Sequence, residues 1–365
     1  MRATDSETRL DHLRAAVADR VLTSLTEVMA AHEEVGPEIG DLGTVAADML
    51  AGGKRLRASF AAAGWMAFGG ADLDDRIIAA GAGLELFQMA ALVHDDVIDD
   101  SHTRRGRPAA HRQLATRHHQ LSMVGDADRF GASAAVLLGD LLVVASTREL
   151  DDALDRLPDS ERRSARRIVT DMMAGVTFGQ YLDIYAQSAP WADDPTVDLD
   201  RARRVLRAKA ARYSVEQPLC LGATMAGAPP AGVRACAEIG LPIGEAFQLR
   251  DDLLGVFGDP ALTGKPAGDD LREGKRTVLI ATTLQRAGTE AARELRHAIG
   301  NPELDADALT RAREIIVATG APSAVEALIA ERTSEGLAAI ASAPLTKPAA
   351  DALRALAAAA VSRTA

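Results

Sequence analysis

The chain has 365 residues, 47% hydrophobic, 3% aromatic and 25% charged, with a formal net charge of −11 and a mean hydropathy of −0.01. So acidic a chain is a poor general ligand for nucleic acid, and two cysteines, Cys220 and Cys236, supply no disulfide framework. They read as small core side chains in a protein of the reducing cytosol.

The opening MRATDSETRLDHLRAAVADR is charged and has no apolar stretch of the kind a secretory leader carries. Leu10, Leu13, Val17, Val21, Leu25 and Val28 recur at helical spacing and predict an amphipathic first helix. The same periodicity predicts helices over 77–94, 132–150, 161–185, 199–222, 233–257 and 277–299, with more helix beyond residue 304. Glycine- and proline-rich breaks separate them at 69–70, 122–131, 188–195, 227–232 and 258–268. Strand alternation and short internal repeats are absent from the pattern. Apolar runs such as 132–144, which Asp140 interrupts, fall short of the roughly 18 residues a transmembrane helix requires. The expectation is one all-α domain over 1–365, cytoplasmic, without a membrane span.

The chemistry concentrates in two aspartate clusters, each ending an apolar helical run and each followed by basic residues. The first is LVHDDVIDDSHTRRGRPAAH (92–111) and the second FQLRDDLLGVFGDPALTGKPAGDDLREGKR (247–276). On a continuous helix Asp95 stacks over Asp99, and Asp96 over Asp100. Like charges at that spacing repel, and a hard divalent cation turns the repulsion into coordination. A merely acidic, solvated helix end explains one such cluster but poorly explains two with basic followers. Upstream, GGKRLR (52–57) offers glycines for close backbone approach and Lys54 and Arg57 as anion donors, without the spacing of a P-loop. Together these residues point to metal-assisted chemistry on a diphosphate ester. His118 and His119 lack ligand spacing and read as surface residues of a polar loop; Asp140 needs a partner if buried. His111 closes the first motif and is placed to orient the arginine-rich loop, and the charged run 161–167 reads as a solvated helix face.

GGKRLR, DDVIDDSHTRRGRPAAH, GQYLDI (179–184), KAARYSVEQPL (209–219) and FQLRDDLLG…GKPAGDD, in that order, resemble the trans-isoprenyl diphosphate synthases, or polyprenyl synthetases. The resemblance covers about 52–276, with a compatible helical remainder over 277–365. It implies a single helical bundle around a central cavity, usually homodimeric, that condenses isopentenyl diphosphate with an allylic diphosphate (dimethylallyl, geranyl or farnesyl) and releases pyrophosphate. By motif, Asp95 and Asp99 would bind magnesium on the allylic diphosphate with Asp96 in support, and Asp251, followed by Asp252, would bind the remainder of three ions from an opposite wall. Arg104, Lys209 and Lys265 would contact the allylic diphosphate; Lys54, Arg57, Gln88 and Arg105 would hold isopentenyl diphosphate, with Gln248 near Asp252. Gln88 stands where many members carry histidine.

Ionisation leaves an allylic cation that water would quench, which calls for a closed apolar cavity; no side chain stands out as the base, and the resemblance implies that the released pyrophosphate takes the final proton. Chain length should be read along the helix before Asp95. Short-chain members place an aromatic residue four or five positions ahead of that aspartate, and here Ala91 and Ala90 stand there, with Phe87 one turn lower. The expected product is geranylgeranyl diphosphate, with farnesyl or longer-chain products as alternatives. A terpene cyclase would not need GGKR or Arg105, and a non-catalytic subunit finds support only in Gly255, which replaces a third aspartate. Ala210 and Ala58 also depart from the family pattern. Restoring Gly255→Asp is expected to leave activity similar or modestly raised.

Overall fold

The computed structural model describes residues 5–70, 74–259 and 268–362, and the chain divides into two compact units. The first comprises 1–167, 218–233 and 345–352; the second comprises 168–217, 234–344 and 353–365.

In the first unit, α1 (Asp5–Ala30), α2 (Gly40–Leu50), α3 (Leu56–Ala67), α5 (Ala110–Gln120) and α6 (Ala127–Asp155) pack on α4 (Asp75–Ile98). Helix α4 is apolar nearly all round, with Ile77, Leu84, Leu86, Met89 and Val93 buried on different faces, the pattern of a core helix. Its N-cap Asp74 accepts from Arg76 N at 2.9 Å, and the Arg76 side chain, first among several causes, holds that carboxyl below its ordinary range. The α1 stripe Leu10, Leu13, Val17, Val21, Leu25 and Val28 is buried as its spacing predicts.

Backbones meet closely where α3 crosses α9 (Gln217–Met225): a Cβ on Gly222 would lie 1.8 Å from the Ala61 carbonyl oxygen, and one on Gly64 2.1 Å from that of Leu219. Gly131, expected to belong to a break, sits inside α6, because Asp126 caps that helix earlier and the glycine lets it approach the His111 carbonyl. His118 departs from its expected surface position: it lies in α5, buried against Phe130 with ring centroids 5.3 Å apart. Asp140 is exposed, with His94 Nε2 at 3.5 Å from its carboxylate.

Two helices, α4 and α6, also prove long and apolar enough to cross a membrane by length and composition, contrary to the expectation that no run would qualify. Burial covers 78% of the apolar window in α4 but only 39% in α6, where Leu137 and Val144 stand 61% and 60% exposed.

In the second unit, the predicted helix over 199–222 is broken into α8 (Pro195–Val205), a π-helix (Leu206–Glu216) and the start of α9. Pro218 cannot donate to the carbonyl four residues back, and the widened turns before it absorb that mismatch. Helix α7 (Asp159–Ser188) packs its C-terminal part here: Gly179 is pressed on the π-helix, where a Cβ would lie 2.4 Å from Lys209 N. Gly240 and Gly244 of α10 (Pro230–Phe257) meet the same π-helix at Glu216 and Ala211. The core gathers Leu249, Leu253, Val256, Leu279, Ile280, Leu295 and Ile316. The predicted helix 277–299 is two helices, Val278–Arg286 and Thr289–Ala298, parted at Gly288. The only strands among the described residues form a hairpin, Thr103–Arg104 with Arg107–Pro108, which is too short for alternation to register in sequence.

Gly222→Val forces apart backbones already in contact, so it should cost about 3 kcal/mol or more by urea denaturation, beyond ordinary overpacking; a loss under about 1 kcal/mol would show that the α3–α9 contact yields freely.

Candidate active site

The residues singled out by sequence fall in both units. In the first unit α4 ends in a Schellman-type turn: Asp99 N donates to the Asp95 carbonyl at 2.8 Å, Ser101 N to that of Asp96 at 2.9 Å, and Asp100 takes φ +51°. Glycine usually holds that left-handed position. The turn alters the expected stacking. Asp95 and Asp96 lie within the helix, Asp99 caps it, and Asp100 turns away to Arg112, 2.8 Å from its guanidinium, instead of sitting over Asp96.

Asp96 is fully buried, at 0% exposure, and accepts from Arg104 Nε at 2.9 Å and again from Nη2. Arg104 Nη2 also lies 3.7 Å from Asp95. Asp96 therefore aims Arg104 beside Asp95, which suits a supporting role. The hairpin carries Arg104 and Arg105: its two-residue loop, Arg105–Gly106, has φ of +54° and +73°, as a type I′ turn requires. His111, near the Asp100–Arg112 contact, is buried, and its ring is held below the ordinary imidazole range by burial and then by Arg112.

Arg105 points back to the GGKR segment. A Cβ on Gly53 would meet its guanidinium nitrogens at 3.1 and 3.2 Å, so glycine opens room for the arginine. Desolvation lowers Arg105 from the usual arginine range; Glu85 opposes this, and Arg55, Arg104 and Arg57 add to it. Arg55, Arg57, Arg104 and Arg105 thus bring four guanidiniums into one neighbourhood, with Glu85 and the Arg104 partner Asp96 as counter-charges, a setting that favours an anionic ligand. Arg57 and Gln88 are buried and Lys54 is exposed. On α4, Phe87 and Ala90 are buried and Ala91 is partly open.

In the second unit, Lys209 projects from the π-helix to Asp183, Nζ to Oδ2 2.6 Å. Gln248 Nε2 donates to Asp252 Oδ1 at 2.9 Å. Asp252 is buried and its carboxyl is pushed up to about 8, first by burial, with Gln248 opposing and the negative charges of Asp270, Asp251 and Asp183 adding. Lys275 lies 3.8 Å from Asp270 and 2.5 Å from Glu273. Gly255 explains itself here: a Cβ on it would lie 1.8 Å from Asp270 Oδ2, so the Asp270 carboxylate occupies the space a side chain at 255 would need. Lys265 lies outside the described residues.

Among the described residues no group of three His, Cys, Asp or Glu side chains is arranged to hold a metal by itself. The donor set is oxygen alone, which fits a hard cation that completes its shell with phosphate oxygens. Sequence reasoning missed Glu85, Asp183 and Asp270. Glu85 had a signal, being the lone charged residue within the apolar run 77–93.

The polyprenyl synthetase family model matches residues 41–316. A geranylfarnesyl diphosphate synthase of Aeropyrum pernix is 32% identical over 272 residues, 74% of this chain and 77% of that protein. A geranylgeranyl diphosphate synthase of Mycobacterium tuberculosis is 32% identical over 291 residues, 79% of this chain and 75% of that protein. Among solved structures, geranylgeranyl pyrophosphate synthase of Corynebacterium glutamicum, complexed with isoprenyl diphosphate and magnesium, superposes with a TM-score of 0.87 at 39% identity, covering 95% of this chain and 99% of that one. The aspartate clusters, the arginine neighbourhood and the helical fold thus have a shared origin: the chain belongs to the polyprenyl synthetase family and is a prenyltransferase.

Proposed function

We propose that the chain, acting as one catalytic domain, joins isopentenyl diphosphate to an allylic diphosphate, releases pyrophosphate, and yields geranylgeranyl diphosphate. What supports this reading is that the first unit sets Arg104 beside Asp95 and gathers Arg57 near Arg105, two sets of donors that would each suit a diphosphate. A cyclase acting on one diphosphate has no use for the second set.

The carboxylates fit magnesium: Asp95 and Asp99 would hold ions shared with the allylic diphosphate and Asp251 a further one, three in all. Bound magnesium would supply neutralisation of charge on the leaving diphosphate. In the first unit Arg104, fixed by Asp96, would add a donor to that diphosphate; in the second, Lys209, fixed by Asp183, and Lys265 are proposed as diphosphate donors. The allylic C–O bond breaks, the isopentenyl double bond supplies the pair for the new C–C bond, and the lost proton passes to pyrophosphate. The apolar wall of α4 keeps water from the cation. Phe87, one turn below Ala91, closes the tail's path; a turn rises about 5.4 Å, close to one isoprene unit. The open apolar face of α6, with Leu137 and Val144, supports a homodimer; a monomer in sedimentation equilibrium at micromolar concentration would remove it.

Incubation with magnesium, labelled isopentenyl diphosphate and each allylic starter should give a twenty-carbon product. A hydrocarbon from the allylic substrate alone would indicate a cyclase, and inactivity without a second protein a non-catalytic subunit. Asp95→Ala should lower turnover at least about a thousandfold, ~4 kcal/mol of barrier, with unchanged circular dichroism; near-normal turnover would sink the metal assignment.

The Asp270 contact reverses the expectation for Gly255→Asp. The variant should lose at least about tenfold in turnover, ~1.4 kcal/mol, because it displaces Asp270 and adds a like charge. Combining it with Asp270→Ala should recover part of the loss. A more active single variant would mean that Asp270 moves aside at no cost.

Phe87→Ala should lengthen the product beyond twenty carbons and Ala91→Phe should shorten it toward fifteen, read by chromatography of the dephosphorylated alcohols. Unchanged lengths in both would dismiss α4 as the ruler.

A further inference from the structure

Glu85 sits in the middle of an apolar helix, 5% exposed, three residues before Gln88 and therefore on nearly the same face. A carboxylate is kept in such a place only against a compensating charge and donors. Arg55, 6% exposed, provides the charge, with Nη1 3.6 Å from Glu85 Oε2, and the Ala58 backbone N–H points at Oε1 across 3.4 Å.

Arg55 is itself committed inward. Its Nη2 donates to the Leu50 carbonyl at 2.8 Å, and its own carbonyl accepts from Ser59 N at 3.0 Å and Ser59 Oγ at 2.8 Å, fastening the start of α3. Its backbone is left-handed, φ 47° and ψ 46°, a conformation an arginine keeps only when its surroundings hold it there. Lys54 precedes this residue and Arg57 follows it by two. The direction in which both basic groups leave the turn is set by how Arg55 is anchored.

We propose that Glu85 is a positioning residue for isopentenyl diphosphate: paired with Arg55 beneath the 52–57 turn, it holds Lys54 and Arg57 in the arrangement that, with Arg105, receives that diphosphate. The inference rests on the two-diphosphate reading above. Two effects of removing the carboxylate oppose each other. By charge alone, its loss makes the pocket more positive and tightens anion binding. By position, its loss leaves a buried guanidinium uncompensated, so Arg55 swings out and the turn with it. The second effect dominates, because both partners are nearly sealed from solvent and a buried guanidinium left without its carboxylate is strongly disfavoured.

Glu85→Gln tests this, since glutamine keeps the shape and can still accept from Ala58 N. It should raise KM for isopentenyl diphosphate about tenfold or more, leave KM for the allylic substrate within about twofold, and keep kcat within about threefold. Arg55→Lys, which keeps the charge but cannot also reach Leu50, should give an intermediate rise and remains informative if Glu85→Gln fails to fold. The double variant should be no worse than Glu85→Gln alone, the non-additivity expected of a pair acting as one. Arg57→Ala serves as the reference. If it leaves KM for isopentenyl diphosphate unchanged, or affects the allylic substrate alone, the pocket assignment itself is wrong. If Arg57→Ala raises that KM while Glu85→Gln and Arg55→Lys leave it unchanged or lower it, the positioning role is overturned. Equal losses for both substrates, accompanying a lower urea midpoint, would also overturn it in favour of a purely structural pair.

Discussion

Charge held against helical packing is the constraint on which the rest of this structure depends. Asp96, Glu85 and Asp252 are all buried carboxylates, and each is managed differently. Asp96 is satisfied by Arg104, Glu85 by Arg55 and the Ala58 amide, while Asp252 holds its proton up to about 8 because burial and neighbouring aspartates outweigh Gln248. The first two solutions are complete within the protein and rigidify it. The third is incomplete, and an incompletely neutralised acidic site is where an added cation has most to gain.

The same constraint accounts for where the backbone departs from ordinary geometry. Arg55, Asp100 and Arg105 are three of four positive-φ residues other than glycine among those described, and all three flank the basic and acidic sets of the first unit. Each such residue costs about 1 kcal/mol or more relative to glycine. A glycine at 55 or 105 would relax the turn but remove the guanidinium. Arginine is retained because the side chain is anchored, to Leu50 and Glu85 for Arg55, and because Gly53 clears the way for Arg105.

Much of this was legible in sequence, for physical reasons. Periodicity placed α1, α4 and α10 because a helix buried along a stripe must repeat its apolar residues, and the aspartate clusters stood out because charge after an apolar run is costly. What periodicity could not report is what one backbone does to another. Gly222 and Gly64 lie in helices where glycine carries no positive φ, and only the α3–α9 contact explains them. The π-helix escaped because its wider turns keep apolar spacing close to α-helical, although Pro218 marked the discontinuity. Asp100 was misplaced because stacking assumed that the helix runs on through residue 100, whereas it ends at Ile98 with Asp99 as its cap.

Gly255 shows most sharply how a motif and a structure can differ in meaning. Read as a pattern, DDLLG has lost a carboxylate and hints at a weakened metal site. In the fold, the carboxylate of Asp270 fills the space that a side chain at 255 would take, and its charge is felt at Asp252. Negative charge at this end of α10 is therefore supplied from a different stretch of chain. A third aspartate on α10 would compete with Asp270 for one volume, so the glycine and the later aspartate make sense only as a pair. The departure from the family pattern is therefore a relocation of charge, and it weighs against reading the chain as a subunit that has lost its chemistry.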